Sequence, residues 1–111
     1  MRQEENLVLS THFFQAVSHD VRQRILMLLQ ERERSVGELV AEFDLSQPTI
    51  SRHLAVLKRA GLVRDRRAGQ QVFYALNEEG IRTCLVEFFS RFRCCAALGK
   101  FLGRQGSRSR R

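Results

Sequence analysis

With 111 residues, 19 Lys and Arg against 12 Asp and Glu, and a net charge of +7, the chain is by length one small, basic domain. No apolar run approaches the roughly 20 residues of a membrane span, and no basic start followed by a long apolar stretch marks a signal peptide, so a cytosolic, membrane-free protein is expected. Three cysteines, two of them adjacent, make no disulfide framework and point instead to buried packing, metal ligation or redox chemistry.

The charge is patched. Residues 46–71 carry six Lys or Arg against one Asp, and residues 99–111 carry five with no acid, while residues 1–45 are net −3. Such patching suits a polyanion-binding surface. A chain this short buries only about two thirds of the surface its unfolded form exposes, so a leftover apolar face is expected to be covered by a second copy.

Leu7, Val8, Phe13, Phe14 and Val17 are loosely helical and are followed by a break at Ser18-His19-Asp20. Val21, Ile25, Leu28 and Leu29 form one stripe of a second helix ending near Glu31, with "ERER" (31–34) as a solvated link. Ser35 and Glu38 make a capping-box pattern for a third helix whose core face is Val36, Leu39, Val40 and Phe43. It stops in Asp44-Leu45-Ser46, so close to the next cap that the two helices must cross steeply, as in a helix-turn-helix.

Ser46 caps the fourth helix, and Pro48 is tolerated because first-turn amides have no intrahelical acceptor to lose. Ile50, Leu54 and Leu57 bury one side; Gly61 ends the helix in a left-handed conformation that Leu62 closes. Two short strands follow about an Ala68-Gly69 turn, with Val72, Tyr74 and Leu76 alternating against Gln71, Phe73 and Ala75. Asn77 caps a last helix with Glu78 and Glu79 in its first turn and one broad apolar face of Ile81, Leu85, Phe88, Phe89, Phe92 and Ala96. The predicted fold is mainly α with a small β-hairpin, in the order ααααββα. One domain spans 1–103, and 104–111 is expected to be a disordered basic tail.

With its apolar side buried, the fourth helix turns Gln47, Thr49, Ser51, Arg52, Ala55, Lys58 and Arg59 outward. A major groove about 12 Å wide admits an α-helix, so Gln47, Thr49, Ser51 and Arg52 are candidates for base edges and Lys58, Arg59, Arg66 and Arg67 for phosphates. Arg64, Arg66, Arg67 and Gln70 would form the tip of a wing along the backbone.

"HDVRQRILMLLQ", "SVGELVAEFDLSQPTISRHLAVLKRAGLV" and "RRAGQQVFYALNEEG" together resemble the ArsR/SmtB family of winged-helix repressors over roughly residues 7–98. The resemblance implies a winged helix-turn-helix, a homodimer through the first and last helices, a double-stranded DNA operator and an inducer that weakens operator binding. It places Gln47, Pro48, Thr49, Ser51, Arg52 and His53 in the recognition region. His19 stands where members often have a capping Asp, which leaves Ser18 or Asp20 to cap. The family's Cys-x-Cys metal site in the third helix is absent from "SVGELVAEFD", and residues 78–98 hold no histidine for a zinc site on the last helix; no zinc site is supported.

Cys94 and Cys95 remain. Adjacent sulfurs can swing together onto one soft atom, and thiolates select soft centres. Members with paired cysteines near the end of the last helix respond to arsenite or trivalent organoarsenicals, so the resemblance implies a trivalent arsenical as inducer at Cys94 and Cys95. Lys100, Phe101 and Leu102 stand where a third thiol often follows. Cys84, three turns and about 16 Å from Cys95 along one helix, is the candidate third ligand only from a partner chain. The alternative is a thiol redox or persulfide-responsive repressor of the same fold. No nucleophile-and-base set, cofactor loop or Cys-x-x-Cys supports an enzyme.

Overall fold

The computed structural model describes residues 11–109; Leu7 and Val8 lie outside them, as do Arg110 and Arg111. Residues 11–16 are helical (α1). After them come α2 (Asp20–Glu31), β1 (Arg34–Ser35), α3 (Val36–Val40), α4 (Gln47–Arg59), β2 (Val63–Ala68), β3 (Gln71–Leu76), α5 (Glu78–Phe89), a 3-10 turn (Arg93–Cys95) and α6 (Ala96–Ser109).

The core gathers one face of each element. Ile25, Leu39, Ile50, Leu54, Leu57 and Leu62 are fully buried, and Phe13, Ala16, Leu29, Val63 and Cys84 join them. The stripes predicted for α2 and α4 therefore face one interior. The capping box at Ser35 is formed in both directions: Glu38 N–H donates to Ser35 Oγ at 3.1 Å, and Ser35 N–H donates to Glu38 Oε1 at 2.8 Å. At the end of α4, Leu62 N–H donates to the Leu57 carbonyl and Gly61 N–H to the Lys58 carbonyl, with Gly61 at φ 79°. These two bonds are the Schellman closure, and Leu62 against Leu57 is its apolar contact.

The element order departs from ααααββα in two places. "ERER" is not a solvated link: Arg34 and Ser35 pair with Tyr74 and Phe73, which makes a three-stranded antiparallel sheet in the order β1-β3-β2. Arg34 is buried because its guanidinium has partners, Nε donating to the Leu28 carbonyl at 3.1 Å and Nη2 to Glu31 Oε1 at 2.6 Å. A buried charge so bonded is tolerable where a bare one is not. The last helix is broken. α5 ends at Phe89, Phe92 is extended (φ −108°, ψ 128°), and Cys94 and Cys95 sit in the 3-10 turn rather than within a helix.

α6 turns back on the end of α5, where Gly99 is buried against Ser90: a Cβ on Gly99 would stand 2.7 Å from Ser90 Oγ. Residues 104–109, expected as a disordered tail, continue α6. Three smaller corrections are local. α3 stops at Val40, so Phe43 belongs to the following turn, where the Arg24 guanidinium covers its ring at 5.0 Å. The hairpin loop is Gly69-Gln70, since Ala68 pairs with Gln71; a positive φ at Gly69 alone is the II′ pattern. His19 itself caps α2, its Nδ1 accepting from Val21 N–H at 3.2 Å, and Asp20 Oδ1 accepts from the same amide at 2.8 Å.

α5 is bolted to the α4 closure. Asn77 N–H donates to the Leu62 carbonyl, Asn77 Nδ2 to the Gly61 carbonyl at 2.8 Å, and Gly80 N–H to Asn77 Oδ1 at 3.2 Å. The packing admits no side chain at Gly80, whose Cβ would meet the Gly61 carbonyl and Asn77. Orientation of the recognition helix is thereby tied to the start of α5.

Candidate nucleic-acid interface and thiol pair

Ser46 sets the reading end of α4. Its Oγ lies 3.4 Å from Thr49 N as acceptor and 3.0 Å from Thr49 Oγ1, and Arg52 Nη2 donates to the same Oγ1 at 3.4 Å. The first turn thus carries a tethered row of short polar groups. Gln47, Pro48, Ser51, Arg52, Lys58 and Arg59 are exposed and Thr49 is half-buried, so the polar side of α4 stands clear of the subunit. His53 does not share it: half-buried, its ring lies 4.6 Å from that of His19. Burial, then His19, Arg22 and Arg52, hold the His53 imidazole below its ordinary value, with Asp20 opposing.

The wing is anchored by ions. Arg66 donates from Nε and Nη2 to the two oxygens of Glu33 at 2.8 and 2.7 Å, and its guanidinium lies 4.8 Å from the centre of the Phe73 ring. This fork holds the Glu33 carboxyl below its usual range and pushes Arg66 up. Lys58 Nζ donates to Asp65 Oδ2 at 3.0 Å, which ties α4 to β2. Two of the four cations expected at phosphates are therefore engaged within the subunit, while Arg59 and Arg67 are exposed. Sequence reasoning missed Glu33 and Asp65 because neither lies near its partner's pattern: Glu33 is 33 residues from Arg66. Between the starts of α3 and α4 and the wing tip is a groove of about 270 Å³ lined by Gly37, Gln47, Gln70 and Gln71 among others.

The thiols are elsewhere. Cys94 Sγ and Cys95 Sγ are 3.5 Å apart on the turn between α5 and α6, Cys94 exposed and Cys95 half-buried. Their hydrogen bond is the main cause that raises the Cys95 thiol above its ordinary value. Cys84 is 5 % exposed in the core, and burial, then Glu87, pushes its thiol up. Among the described residues no three His, Cys, Asp or Glu side chains gather to hold a metal. Next to the thiols an apolar surface continues: Phe88 contacts Phe14 of α1 at 4.7 Å and Phe92 at 5.2 Å, and Phe14, Phe92, Leu98 and Phe101 remain 41–49 % exposed. Among the described residues, no helix is long and apolar enough to cross a membrane.

Comparison with known proteins agrees with this geometry. Residues 19–65 match the family described as "Bacterial regulatory protein, arsR family". The transcriptional activator HlyU of Vibrio cholerae is 38 % identical over 93 residues, 84 % of this chain and 85 % of that protein. The arsenic resistance transcriptional regulator ArsR1 of Pseudomonas putida is 48 % identical over 67 residues, 60 % of this chain and 52 % of that one. A solved structure described as reduced HlyU from Vibrio cholerae superposes with a TM-score of 0.63 at 37 % identity, covering 84 % of this chain and 97 % of the other. The capped α4, the β2–β3 wing and these likenesses lead to one conclusion: the chain belongs to the arsR family of bacterial regulatory proteins, DNA-binding regulators of transcription and not enzymes.

Proposed function

We propose that the chain is a homodimeric repressor that places Gln47, Thr49, Ser51 and Arg52 on operator bases, with Pro48 in the same first turn and Arg59 and Arg67 on phosphates. Lys58 and Arg66 reach DNA by exchanging Asp65 and Glu33 for phosphate. The exposed Phe14, Phe92, Leu98 and Phe101 form the surface that a second copy covers.

Release is assigned to a trivalent arsenical. The observation that carries this is the 3.5 Å between Cys94 Sγ and Cys95 Sγ on the turn that joins α5 to α6. Two bonds of about 2.3 Å meeting at roughly 100° span that gap, so one pyramidal soft centre fits between the sulfurs with little movement. A monosubstituted arsenical with two hydroxyls exchanges both: two S–H and two As–OH bonds break, two As–S bonds and two water molecules form, and no electrons change hands. Arsenite would keep its third hydroxyl. No third thiol is needed, and Cys84 stays in the core. Fixing the turn repositions α6 against α5 and changes the separation of the two recognition helices, which must match half-sites about 34 Å apart.

A fluorescent duplex selected from a randomised pool, titrated with arsenite and with phenylarsine oxide, tests the reading. Release is expected with at least one, and not from the Cys94→Ser, Cys95→Ser double variant; equal release from that variant removes the inducer assignment. The same adjacent pair supports a second reading, in which an oxidant such as a persulfide takes two electrons and two protons from the thiols. A disulfide needs the sulfurs at about 2.05 Å, a larger displacement than the arsenical requires. Release by a persulfide donor with none by either arsenical would decide for it.

A further inference from the structure

A cavity of about 440 Å³ opens between α1, the corner joining it to α2, and the C-terminal half of α4; it shares Arg59 with the outward face of α4 but holds none of the candidate base-contacting residues and neither thiol of the Cys94–Cys95 pair. His12 and Gln15 line it from α1, Ser18 from the corner, Arg22 from α2, and Val56 and Arg59 from α4. Two arginines and a histidine thus line one space to which, among the described residues, no carboxylate contributes. Asp20 does not compensate: its Oδ1 accepts from Val21 N–H, and its side chain is 95 % exposed. The Ser18 hydroxyl is spent on the Gln15 carbonyl at 2.8 Å.

Arg22 Nε is buried and, among the described residues, has no hydrogen-bond partner. A donor so placed has given up water for nothing, which native proteins rarely tolerate without a bound group to accept from it. Arg59 is exposed and makes no ion pair among the described residues. A guanidinium fork beside a second one is the donor set best matched to the oxygens of a phosphate.

The geometry points to this cavity as a binding site for one phosphate-class oxyanion, held by Arg22 and Arg59, with His12 and Gln15 as further donors. The anion is either free or a backbone phosphate of the duplex; only the second source rests on the DNA reading above. Bound there, it ties the α1–α2 corner to the C-terminal half of α4.

The full-length, reduced protein without DNA is unfolded thermally while inorganic phosphate replaces chloride at constant ionic strength. For a free anion, Tm rises with the logarithm of phosphate concentration, and the rise is lost in Arg22→Gln and in Arg59→Gln. For a backbone phosphate, Tm does not respond to phosphate, but Arg22→Gln lowers the salt slope of duplex binding by about one, on selected and unrelated duplexes alike. A flat titration together with an unchanged slope overturns the site. If Arg22→Gln does not fold, Arg22→Met, which keeps the apolar stem without the charge, takes its place with the same expected losses. Should the protein select no duplex, the DNA reading fails, and the phosphate titration alone decides the cavity.

Discussion

Between Arg34 and Leu76 both helices carry their own capping groups and two of the exposed cations, Lys58 and Arg66, are tethered by acids, whereas from Ser90 to Phe101 large apolar groups and the Cys94 thiol face outward, with Cys95 half-buried beside it. The first region is finished within one subunit: its caps and its Schellman closure leave little backbone to rearrange, and only the side chains of its ion pairs are free to exchange partners. The second is held mainly by the seat of Gly99 on Ser90 and by edge-to-face phenylalanines. On the proposed reading, a second copy completes its apolar surface. On the same reading, a reader attached to an unfinished, thiol-bearing helix pair is an arrangement in which chemistry at the second region would alter how two readers are spaced.

The contrast breaks most visibly under truncation. Leu54 is fully buried, and Leu54→Ala should cost about 2–5 kcal/mol in urea unfolding, through lost transfer energy plus a cavity. Phe92, 44 % exposed, should behave otherwise: Phe92→Ala changes subunit stability by under about 0.5 kcal/mol yet weakens self-association in sedimentation. Equal losses of stability from the two would dissolve the distinction between the regions.

One substitution with two signs sharpens the boundary. At Gly80 an added Cβ would meet Asn77 Nδ2 at 2.6 Å and the Gly61 carbonyl, so Gly80→Ala should destabilise by about 1–3 kcal/mol, and should disturb DNA binding because it pries α5 from the α4 closure. At Gly103 nothing lies within 4 Å, and Gly103→Ala should stabilise by up to about 1 kcal/mol through helix propensity alone. Midpoints of chemical denaturation, measured on both, check the pair.

Ser46 lies on the reader's side of the same boundary. Ser46→Ala removes the acceptor for Thr49 N–H and the hydroxyl partner of Thr49 Oγ1, the atom that Arg52 bonds, for an expected loss of about 1 kcal/mol. Operator affinity should fall more than affinity for unrelated duplex. Uniform weakening on both would mean that the capped turn does not touch bases.

Legibility in the sequence followed the same division. The reader is encoded locally: Ser35 with Glu38, Ser46 with Pro48, and Gly61 before Leu62 each act within one turn of chain, and the structure forms each of them. β1 was hidden because its reason lies 40 residues on, at Tyr74, and because a strand of two residues has no period to detect. The break after Phe89 carries no Pro or Gly; what accompanies it is the close approach of Gly99 to Ser90, a contact no helical periodicity reports. The aromatic face continued in register to Phe92 and so looked like one helix. The candidate base-contact residues were legible as an exposed face, but the engagement of Arg66 and Lys58 by distant acids, and the turn of His53 toward His19, were not.

That turn of His53 gives the smallest effect and the only one set by pH. In the folded chain burial, His19, Arg22 and Arg52 disfavour the imidazolium, so the folded value lies below the 6.5 of an unperturbed histidine. Above pH 6.5 both states carry a neutral ring and the residue contributes no slope. As pH falls below 6.5 the unfolded chain binds a proton that the folded one refuses, so stability declines until the folded value is passed and then levels off. His53→Gln should flatten this part of the profile, read as the difference in urea midpoint between wild type and variant from pH 7.5 to pH 5. Protonation would also place a third cation beside Arg22 and Arg52 at the junction of α2 and α4, so the reader's seat against the first helices is where acid should loosen it. A difference that stays constant across the range would show that the paired rings are held by packing alone.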